Sequence, residues 1–206
     1  MAIDAVVFDI GNVLVEWQPE RFFDTQIGED RRKALFAAVD LHEMNHRVDL
    51  GENFSDTVLG MADQHPEWRA EITIWHDRWL DMAAPRIDRS VRLLRALRAK
   101  EIPVFALTNF GVQTFALAEA EYEFLNEFDR RYISGHMRMA KPAANIYAEV
   151  EADSGIAPDR LIFADDRTDN IAAAAAREWQ THLFEHPQGW ADRLVQEGLL
   201  TEAEAA

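Results

Sequence analysis

The fold of this chain is decided by residues 5–12, which read Ala-Val-Val-Phe-Asp-Ile-Gly-Asn. Four consecutive apolar residues that end abruptly at an acid, followed by turn-forming glycine and asparagine, are typical of a strand buried on both faces of a parallel sheet. The stretch therefore predicts a short central strand from Ala5 to Phe8, with Asp9 at its carboxyl end.

The same pattern of a short apolar run that ends in polar residues recurs along the chain. Further runs lie at residues 102–107, 161–164 and 181–184, and a weaker one lies at 132–134. Helical patterns separate them at residues 88–100 (with Asp88 as the N-cap), 111–121, 143–154, 168–178 and 190–199. Strands that alternate with helices predict an α/β fold with a Rossmann-like parallel sheet.

Residues 18–84 differ from the rest because they contain no convincing strand. Pro19, Ser55 and Pro66 each mark a helix start, since proline is accepted in the first turn of a helix and serine is a good N-cap. This segment is predicted to be an all-helical insertion after the first strand. The α/β core domain then consists of residues 1–17 and 85–206.

Aromatic residues are concentrated in and near the insertion. Trp68, Trp75 and Trp79 recur close to the helical period, and this spacing favours a packed core over a pocket. Trp17 and the Phe22–Phe23 pair follow the first polar cluster closely and could line an entrance, although packing is again the simpler role.

Composition limits the partners of the protein. The 206 residues include 48% hydrophobic residues and no cysteine, so a sizeable core can form while disulfides and thiolate sites are excluded. The formal net charge of −16 repels nucleic acid and anionic membrane surfaces. The sequence contains no run of about 18 apolar residues, so no membrane span is expected. No leader peptide is recognised either, and we therefore expect a cytoplasmic protein.

Three polar clusters each follow the carboxyl end of a predicted core strand. They are Asp9, Thr108-Asn109 and Asp165-Asp166. Each cluster alone fits a turn or a helix cap, but ligands of open parallel sheets bind at those strand ends, so the three are expected to converge. Carboxylates crowded together need a counter-ion, and their hard oxygens suit magnesium. A carboxylate there can attack phosphorus, while a lysine and a hydroxyl neutralise the transferring phosphoryl group.

The order of these clusters resembles the haloacid dehalogenase-like (HAD) hydrolase superfamily, which has four motifs in a fixed order. Residues 8–14 resemble its first motif, residues 107–109 the second, Lys141-Pro142 the third, and residues 163–170 the fourth. The resemblance covers nearly the whole chain, and the insertion at 18–84 lies where this family places a small helical cap domain.

The resemblance implies a role for each matching residue. Asp9 is implied as nucleophile and metal ligand, and the backbone carbonyl of Gly11 as a further metal ligand. Asp165 and Asp166 are implied to complete a Mg²⁺ site, with Asn170 supporting it from behind. The residues implied to act on the phosphoryl group are Thr108, Asn109 and Lys141.

Gly11 departs from the pattern of most phosphatases in this family, which carry a second aspartate two residues after the nucleophile. That aspartate protonates the leaving group and then activates water, and glycine has no side chain for acid–base work. The Asp-x-Gly-Asn-Val form resembles a subgroup that includes α-D-glucose-1-phosphate phosphatase-like proteins. The resemblance thus implies a magnesium-dependent phosphatase acting on a small phosphorylated metabolite, with a sugar phosphate as one candidate.

Two alternatives use the same fold. A 2-haloacid dehalogenase would also use Asp9 as nucleophile and also lacks the second aspartate, but it needs no metal, and its fourth motif has no pair of adjacent acids. A non-catalytic phosphate-binding protein would keep the fold without turnover, and Gly11 is its only support. The adjacent acids Asp165 and Asp166 favour magnesium and phosphate.

A third alternative belongs to another class. Residues 42–46 read His-Glu-Met-Asn-His and match the His-Glu-x-x-His motif of zinc peptidases, in which His42 and His46 would bind zinc and Glu43 would act as base. No third ligand is clearly signalled, although Glu67 and Glu71 are candidates. Because the match falls within the insertion, we expect it to be coincidental and to lie away from the strand ends.

Replacing His42 and His46 with alanine is therefore expected to leave the hydrolysis of a small aryl phosphate largely intact. The measurement combines a magnesium-dependent assay of each variant with elemental analysis of bound metal. Loss of a stoichiometric zinc ion together with all activity would support the peptidase instead.

Overall fold

A computed structural model describes residues 2–206 and contains one five-stranded sheet. The strands are β1 (Ala5–Phe8), β2 (Val104–Thr108), β3 (Arg130–Ile133), β4 (Leu161–Asp165) and β5 (Gln180–Leu183). All neighbouring strands pair in parallel, in the order β3-β2-β1-β4-β5. The Rossmann-like α/β core is therefore confirmed.

Strand β1 lies at the centre because its side chains are apolar on both faces. Each of its four residues is fully buried. Phe8 packs edge-on against Trp190 and Phe128, with ring centroids 5.7 and 6.3 Å away. Since the chain leaves β1 for β2 on one side and later reaches β4 on the other, a crevice opens beyond the carboxyl end of β1.

Residues 2–206 form twelve α-helices. Six form the insertion between β1 and the rest of the core, and these are α1 (Pro19–Ile27), α2 (Glu29–Ala38), α3 (Leu41–Asp49), α4 (Phe54–Gln64), α5 (Arg69–Asp77) and α6 (Trp79–Met82). The other six cover the two faces of the sheet, and these are α7 (Asp88–Ala99), α8 (Val112–Glu121), α9 (Ser134–Met137), α10 (Ala144–Ser154), α11 (Thr168–Ala175) and α12 (Pro187–Gln196).

Local chemistry explains where several insertion helices begin. Pro19 opens α1, as the sequence predicts. The Asp40 carboxylate caps α3 by accepting from the Glu43 N–H at 2.9 Å. Asn53 caps α4 by accepting from the Asp56 N–H at 3.0 Å, and α4 begins at Phe54, so the start expected at Ser55 is one residue late. Asparagine and serine are equally good N-caps by type, and here the Asn53 side chain reaches the first turn.

A second expectation about capping is also wrong. Asp88 is the first residue of α7 rather than its N-cap, and Ile87 occupies the cap position. The Asp88 carboxylate instead accepts from Arg86 Nε at 2.6 Å. The remaining predicted strands and helices agree with the structure to within a few residues, and no helix among residues 2–206 has the length and apolarity needed to cross a membrane.

The insertion is packed directly on the core. One hydrophobic cluster runs from Phe8 and Ile10 of the core into Trp75 and Met82 of the insertion helices. Trp79 contacts Phe110 with ring centroids 5.4 Å apart. The structure thus has the helical insertion after the first strand that the fold class requires, while the domain bounds 18 and 84 stay a prediction.

Close backbone contact at Gly135 predicts a stability effect. A Cβ atom at Gly135 would lie 2.8 Å from the Phe110 oxygen and 2.9 Å from the Val112 nitrogen, both backbone atoms with little freedom to move. Gly135→Ala should therefore lower the free energy of unfolding by about 1–3 kcal/mol. Urea unfolding of the purified variant measures this directly.

The matched control is Gly60→Ala, in the interior of α4, where an added Cβ meets no atom within 4 Å. There the better helix propensity of alanine should raise stability by about 0.5–1 kcal/mol. Equal effects of the two substitutions would contradict the proposed tight contact at Gly135.

Candidate functional site

The polar residues that follow β1, β2 and β4 meet at one edge of the sheet. Carboxylate oxygens of Asp9, Asp165 and Asp166 all lie within 4.8 Å of one another. Within residues 2–206, no other set of three or more His, Cys, Asp or Glu side chains brings its ligand atoms together in this way. The convergence expected from the strand ends is therefore present in the structure.

Lys141 lies between two of these carboxylates. Its Nζ is 3.0 Å from Asp9 Oδ1 and 2.6 Å from Asp165 Oδ2, and its side chain is only 1% exposed. Burial alone would lower the pKa of Lys141, but the negative charges of Asp9 and Asp165 raise it above its ordinary value. The ammonium group therefore stays charged in a nearly dry site.

The environment of Asp9 is short of positive charge. Burial raises the pKa of Asp9 to about 7; Lys141 opposes this rise, and the charges of Asp165 and Asp166 add to it. When ionised, three carboxylates face a single ammonium group. A divalent cation would correct this imbalance and hold Asp9 in its ionised form.

Asp165 is already saturated with hydrogen bonds. Its Oδ1 accepts from the Arg167 backbone N–H at 2.8 Å and from Asn170 Nδ2 at 3.0 Å. Its Oδ2 accepts from Lys141 Nζ at 2.6 Å and from Asn170 Nδ2 at 2.9 Å. Asn170 thus supports the site from behind through Asp165, and Asp165 holds Lys141.

Asp166 is more open, and it is oriented by a residue that sequence reasoning did not single out. Asn12 Nδ2 donates to Asp166 Oδ2 at 3.0 Å, while Asn12 Oδ1 accepts from the Trp17 N–H at 2.9 Å. Asn12 has a left-handed backbone with φ of 55°, which asparagine tolerates better than most residues. Its place in the turn after Asp9 was the signal that could have revealed this role.

In the second polar cluster, Thr108-Asn109, the two side chains differ in their contacts. The Asn109 side chain is fully used, since its Oδ1 accepts from the Lys141 N–H and its Nδ2 donates to the Lys141 oxygen, both at 2.9 Å. Asn109 therefore fixes the segment that carries Lys141. The Thr108 hydroxyl lines the cavity described below and has no hydrogen-bond partner among residues 2–206.

Gly11 contributes only backbone. Its neighbours hold the turn, because the Asn12 N–H donates to the Val15 oxygen at 2.7 Å and the Val15 N–H donates to the Ile10 oxygen at 3.0 Å. No donor of residues 2–206 reaches the Gly11 carbonyl oxygen, which is consistent with an oxygen available to a cation.

A cavity of about 400 Å³ lies above these groups. Its floor contains Asp9, Thr108 and Lys141, and its upper wall comes from the insertion. The aromatic residues on its walls are Trp17, Trp75, Trp79, Phe110 and Tyr122.

The cavity corrects two expectations. Trp75 and Trp79 are buried in the core as predicted, but both residues also line the cavity. His42 and His46 were expected to lie away from the strand ends, yet both line this same cavity. The cause is the docking of α3 on the strand-end loops, which no local sequence pattern indicates.

The zinc-peptidase motif gains no third ligand from the structure. The carboxylate of Glu71 pairs with Arg31, and that of Glu67 lies 3.8 Å from His65 Nδ1. His42 Nε2 is 3.6 Å from Glu20 Oε1, and the only three-residue group of metal-ligating atoms among residues 2–206 is the aspartate cluster.

Other residues that line the cavity were not predicted from sequence. Asn45 and Asp49 reach it from α3, and Arg167 reaches it from the loop after β4. Asn45 lies within the His-Glu-x-x-His match and Arg167 within the fourth motif, but neither motif gives these residues a role at the strand ends, so only the tertiary structure reveals them.

Comparison with known proteins finds a phosphatase relative and enzymes of similar structure. The chain is 28% identical over 173 residues to a sesquiterpene phosphatase of Aspergillus oryzae, covering 84% of this chain and 85% of that protein. A HAD family enzyme of Bacteroides thetaiotaomicron superposes with a TM-score of 0.76 at 20% identity, covering 94% of this chain and 99% of that chain. The complex of that enzyme with magnesium and inorganic phosphate superposes with a TM-score of 0.69 at 21% identity, covering 88% of this chain and 93% of that chain.

A dehalogenase also shares the fold. The L-2-haloacid dehalogenase of Xanthobacter autotrophicus superposes with a TM-score of 0.61 at 18% identity, covering 98% of this chain and 86% of that chain. Residues 3–176 match the family model described as haloacid dehalogenase-like hydrolase. With the sheet order, the insertion after β1 and the strand-end aspartates in place, this chain belongs to the haloacid dehalogenase-like hydrolase family.

Proposed function

We propose that this hydrolase is a magnesium-dependent phosphatase that forms an aspartyl-phosphate intermediate on Asp9. The observation that carries the proposal is the cluster of three carboxylates around buried Lys141, beside the unpaired Thr108 hydroxyl. Anionic groups bind a cation, the ammonium and hydroxyl groups bind an anion, and a phosphate ester brought between them lies beside a carboxylate nucleophile.

The donor set fits magnesium. Hard carboxylate and carbonyl oxygens are its preferred protein ligands, and it takes few of them because it keeps several waters. Asp9, Asp166 and the Gly11 carbonyl are the groups we assign to it, since both oxygens of Asp165 are already engaged in hydrogen bonds. When bound, the ion would neutralise the carboxylates and polarise a phosphoryl oxygen.

The protein groups then divide the reaction among themselves. The Asp9 carboxylate attacks phosphorus, and the bond to the ester oxygen breaks. Lys141 and the Thr108 hydroxyl stabilise charge on the phosphoryl oxygens, assisted by the Asn109 backbone N–H. Water then attacks the acyl phosphate and releases inorganic phosphate, which restores Asp9.

The cavity walls favour a substrate with an apolar organic group. Trp17, Trp75, Trp79 and Phe110 present aromatic surface above the polar floor. Apolar walls with a few polar groups at one end are typical of sites that bind an apolar body by one polar head. The sesquiterpene phosphatase among the relatives supports the same substrate class, and sugar phosphates are the comparison class for a substrate screen.

A dehalogenase with Asp9 as nucleophile is the second candidate, because a dehalogenase shares the fold. The two differ in metal requirement. Chelation with EDTA should abolish phosphatase activity and leave dehalogenation of 2-chloropropionate unchanged. Membership of a hydrolase family favours either enzyme over a non-catalytic phosphate-binding protein.

Asp9→Asn should abolish turnover and prevent phosphoenzyme formation, because the amide keeps the size of the side chain but loses the attacking charge. The measurement is acid-quench trapping of labelled phosphoenzyme from an aryl phosphate, with and without magnesium. Wild-type turnover in this variant would overturn the assignment of the nucleophile.

Asp166→Ala should weaken the apparent magnesium affinity by about tenfold or more, since loss of supporting groups alone typically has that effect. Calorimetric titration with magnesium measures it. Asp169→Ala is the matched control, because Asp169 is three residues away and pairs with Arg167 at the surface. An unchanged affinity in the Asp166 variant would place the metal elsewhere.

A further inference from the structure

The reaction proposed above lacks a proton donor at its usual place. Gly11, two residues after Asp9, has no side chain, and the only atom within 4 Å of a Cβ built there is Trp17 Cβ at 3.9 Å. A Cβ atom would therefore be tolerated at this position, yet no side chain is present. An alkoxide is a poor leaving group, so efficient hydrolysis of an alkyl phosphate needs an acid from another element.

The cavity contains few candidates for that acid. Apart from Asp9 and Asp166, the carboxyl groups that line it among the described residues are Glu16 and Asp49. Glu16 is bound to Arg21 at 2.5 Å, in an ion pair that is open to solvent. Asp49 has no such cation among the groups that act on it.

The backbone of Asp49 is hydrogen-bonded to the core next to the strand ends. It is the last residue of α3, and its carbonyl oxygen accepts from the Ser134 hydroxyl at 2.6 Å. Ser134 is fully buried at the end of β3 and also accepts from the Phe110 N–H at 2.8 Å. One buried hydroxyl thus ties the insertion to the loop after β2, which follows Thr108.

Glycines make this docking close. A Cβ at Gly111 would lie only 2.5 Å from Val48 Cγ1 and 3.0 Å from the Val48 oxygen. A Cβ at Gly51 would lie 2.6 Å from the Gly135 oxygen. The segment around Asp49 therefore contacts the core backbone at two points, and these contacts fix the position of the end of α3 over the strand-end loops.

The surroundings of Asp49 raise its affinity for a proton. Burial raises the pKa of Asp49 to about 7; the Gly111 N–H and Asn45 oppose this rise, and the charge of Asp9 adds to it. Asn45 Nδ2 donates to Asp49 Oδ2 at 3.0 Å and fixes the orientation of the carboxyl group. Near neutral pH both protonation states are then populated, which is what a group that donates and later accepts a proton needs.

We propose that Asp49 of the insertion is the general acid and base of this enzyme, in place of the side chain missing at Gly11. As Asp9 attacks phosphorus, the P–O bond to the organic group breaks, and the leaving oxygen takes the proton of Asp49. The Asp49 carboxylate then takes a proton from water as the water oxygen attacks the aspartyl phosphate. Phosphate leaves, and both aspartates regain their starting states.

This inference rests on the proposed phosphatase activity, and the experiment separates the two. Asp49→Asn is compared with wild type on 4-nitrophenyl phosphate, which has a stabilised leaving group, and on an alkyl phosphate, which has a poor one. Quench-flow measures how fast the phosphoenzyme forms and how fast it breaks down.

Asp49→Asn should form phosphoenzyme from 4-nitrophenyl phosphate at nearly the wild-type rate but from the alkyl phosphate about 10²–10⁴-fold more slowly. Breakdown of the phosphoenzyme should also slow, so that it accumulates after a burst of nitrophenol. Asp63→Asn, which removes an exposed carboxyl of the same insertion that pairs with Arg69 and does not line the cavity, is the matched control and should change neither rate.

Rates within about threefold of wild type on both substrates would overturn the role of Asp49. A wild-type enzyme that forms no phosphoenzyme at all would instead overturn the proposed function. As a second route, adding Gly11→Asp to the Asp49→Asn variant should restore hydrolysis of the alkyl phosphate, since a Cβ atom at this position meets no close contact and the new carboxyl would follow Asp9 by two residues. A merely structural role of Asp49 predicts no such rescue.

Discussion

The buried ammonium group of Lys141 is the interaction on which the rest of the site depends. It neutralises part of the charge of Asp9 and Asp165, which otherwise could not be buried side by side at the end of a sheet. Asn109 holds both polar groups of the Lys141 backbone, and Asn170 holds Asp165. The lysine is thus fixed by residues that follow two strands, and its charge is directed at Asp9 rather than at solvent.

One lysine does not balance three carboxylates, and this imbalance gives the site its chemistry. Burial, with a smaller contribution from the charges of Asp165 and Asp166, raises the pKa of Asp9, and the residual negative charge of the cluster suits a divalent cation. Asp165 and Asp166 are adjacent in sequence but differ in surroundings, since four hydrogen bonds occupy the first and one side-chain contact from Asn12 orients the second. Identical side chains thereby acquire different tasks from their neighbours alone.

The insertion does more than cover this edge of the sheet. Close backbone approaches at Gly51 and Gly111, together with the Ser134 hydrogen bond, dock the end of α3 on the core. Aromatic side chains of α5 and α6 serve the hydrophobic core on one side and the cavity on the other. The insertion, which local sequence patterns identify only as helical, thus completes the cavity above its polar floor.

The sequence by itself determined the elements and their order, because hydrophobic periodicity and strand-end polarity are local properties. Short apolar runs ending at Asp9, Thr108 and Asp165 predicted parallel strands, and the shared direction of those strands predicted that the polar residues converge. Only the tertiary structure decided what those residues contact. The contacts of Asn12 with Asp166 and of Asn45 with Asp49 follow from how the turn after Asp9 and α3 fold over the sheet. Long-range packing sets such contacts, and no local pattern encodes the distance between side chains that meet across separate elements.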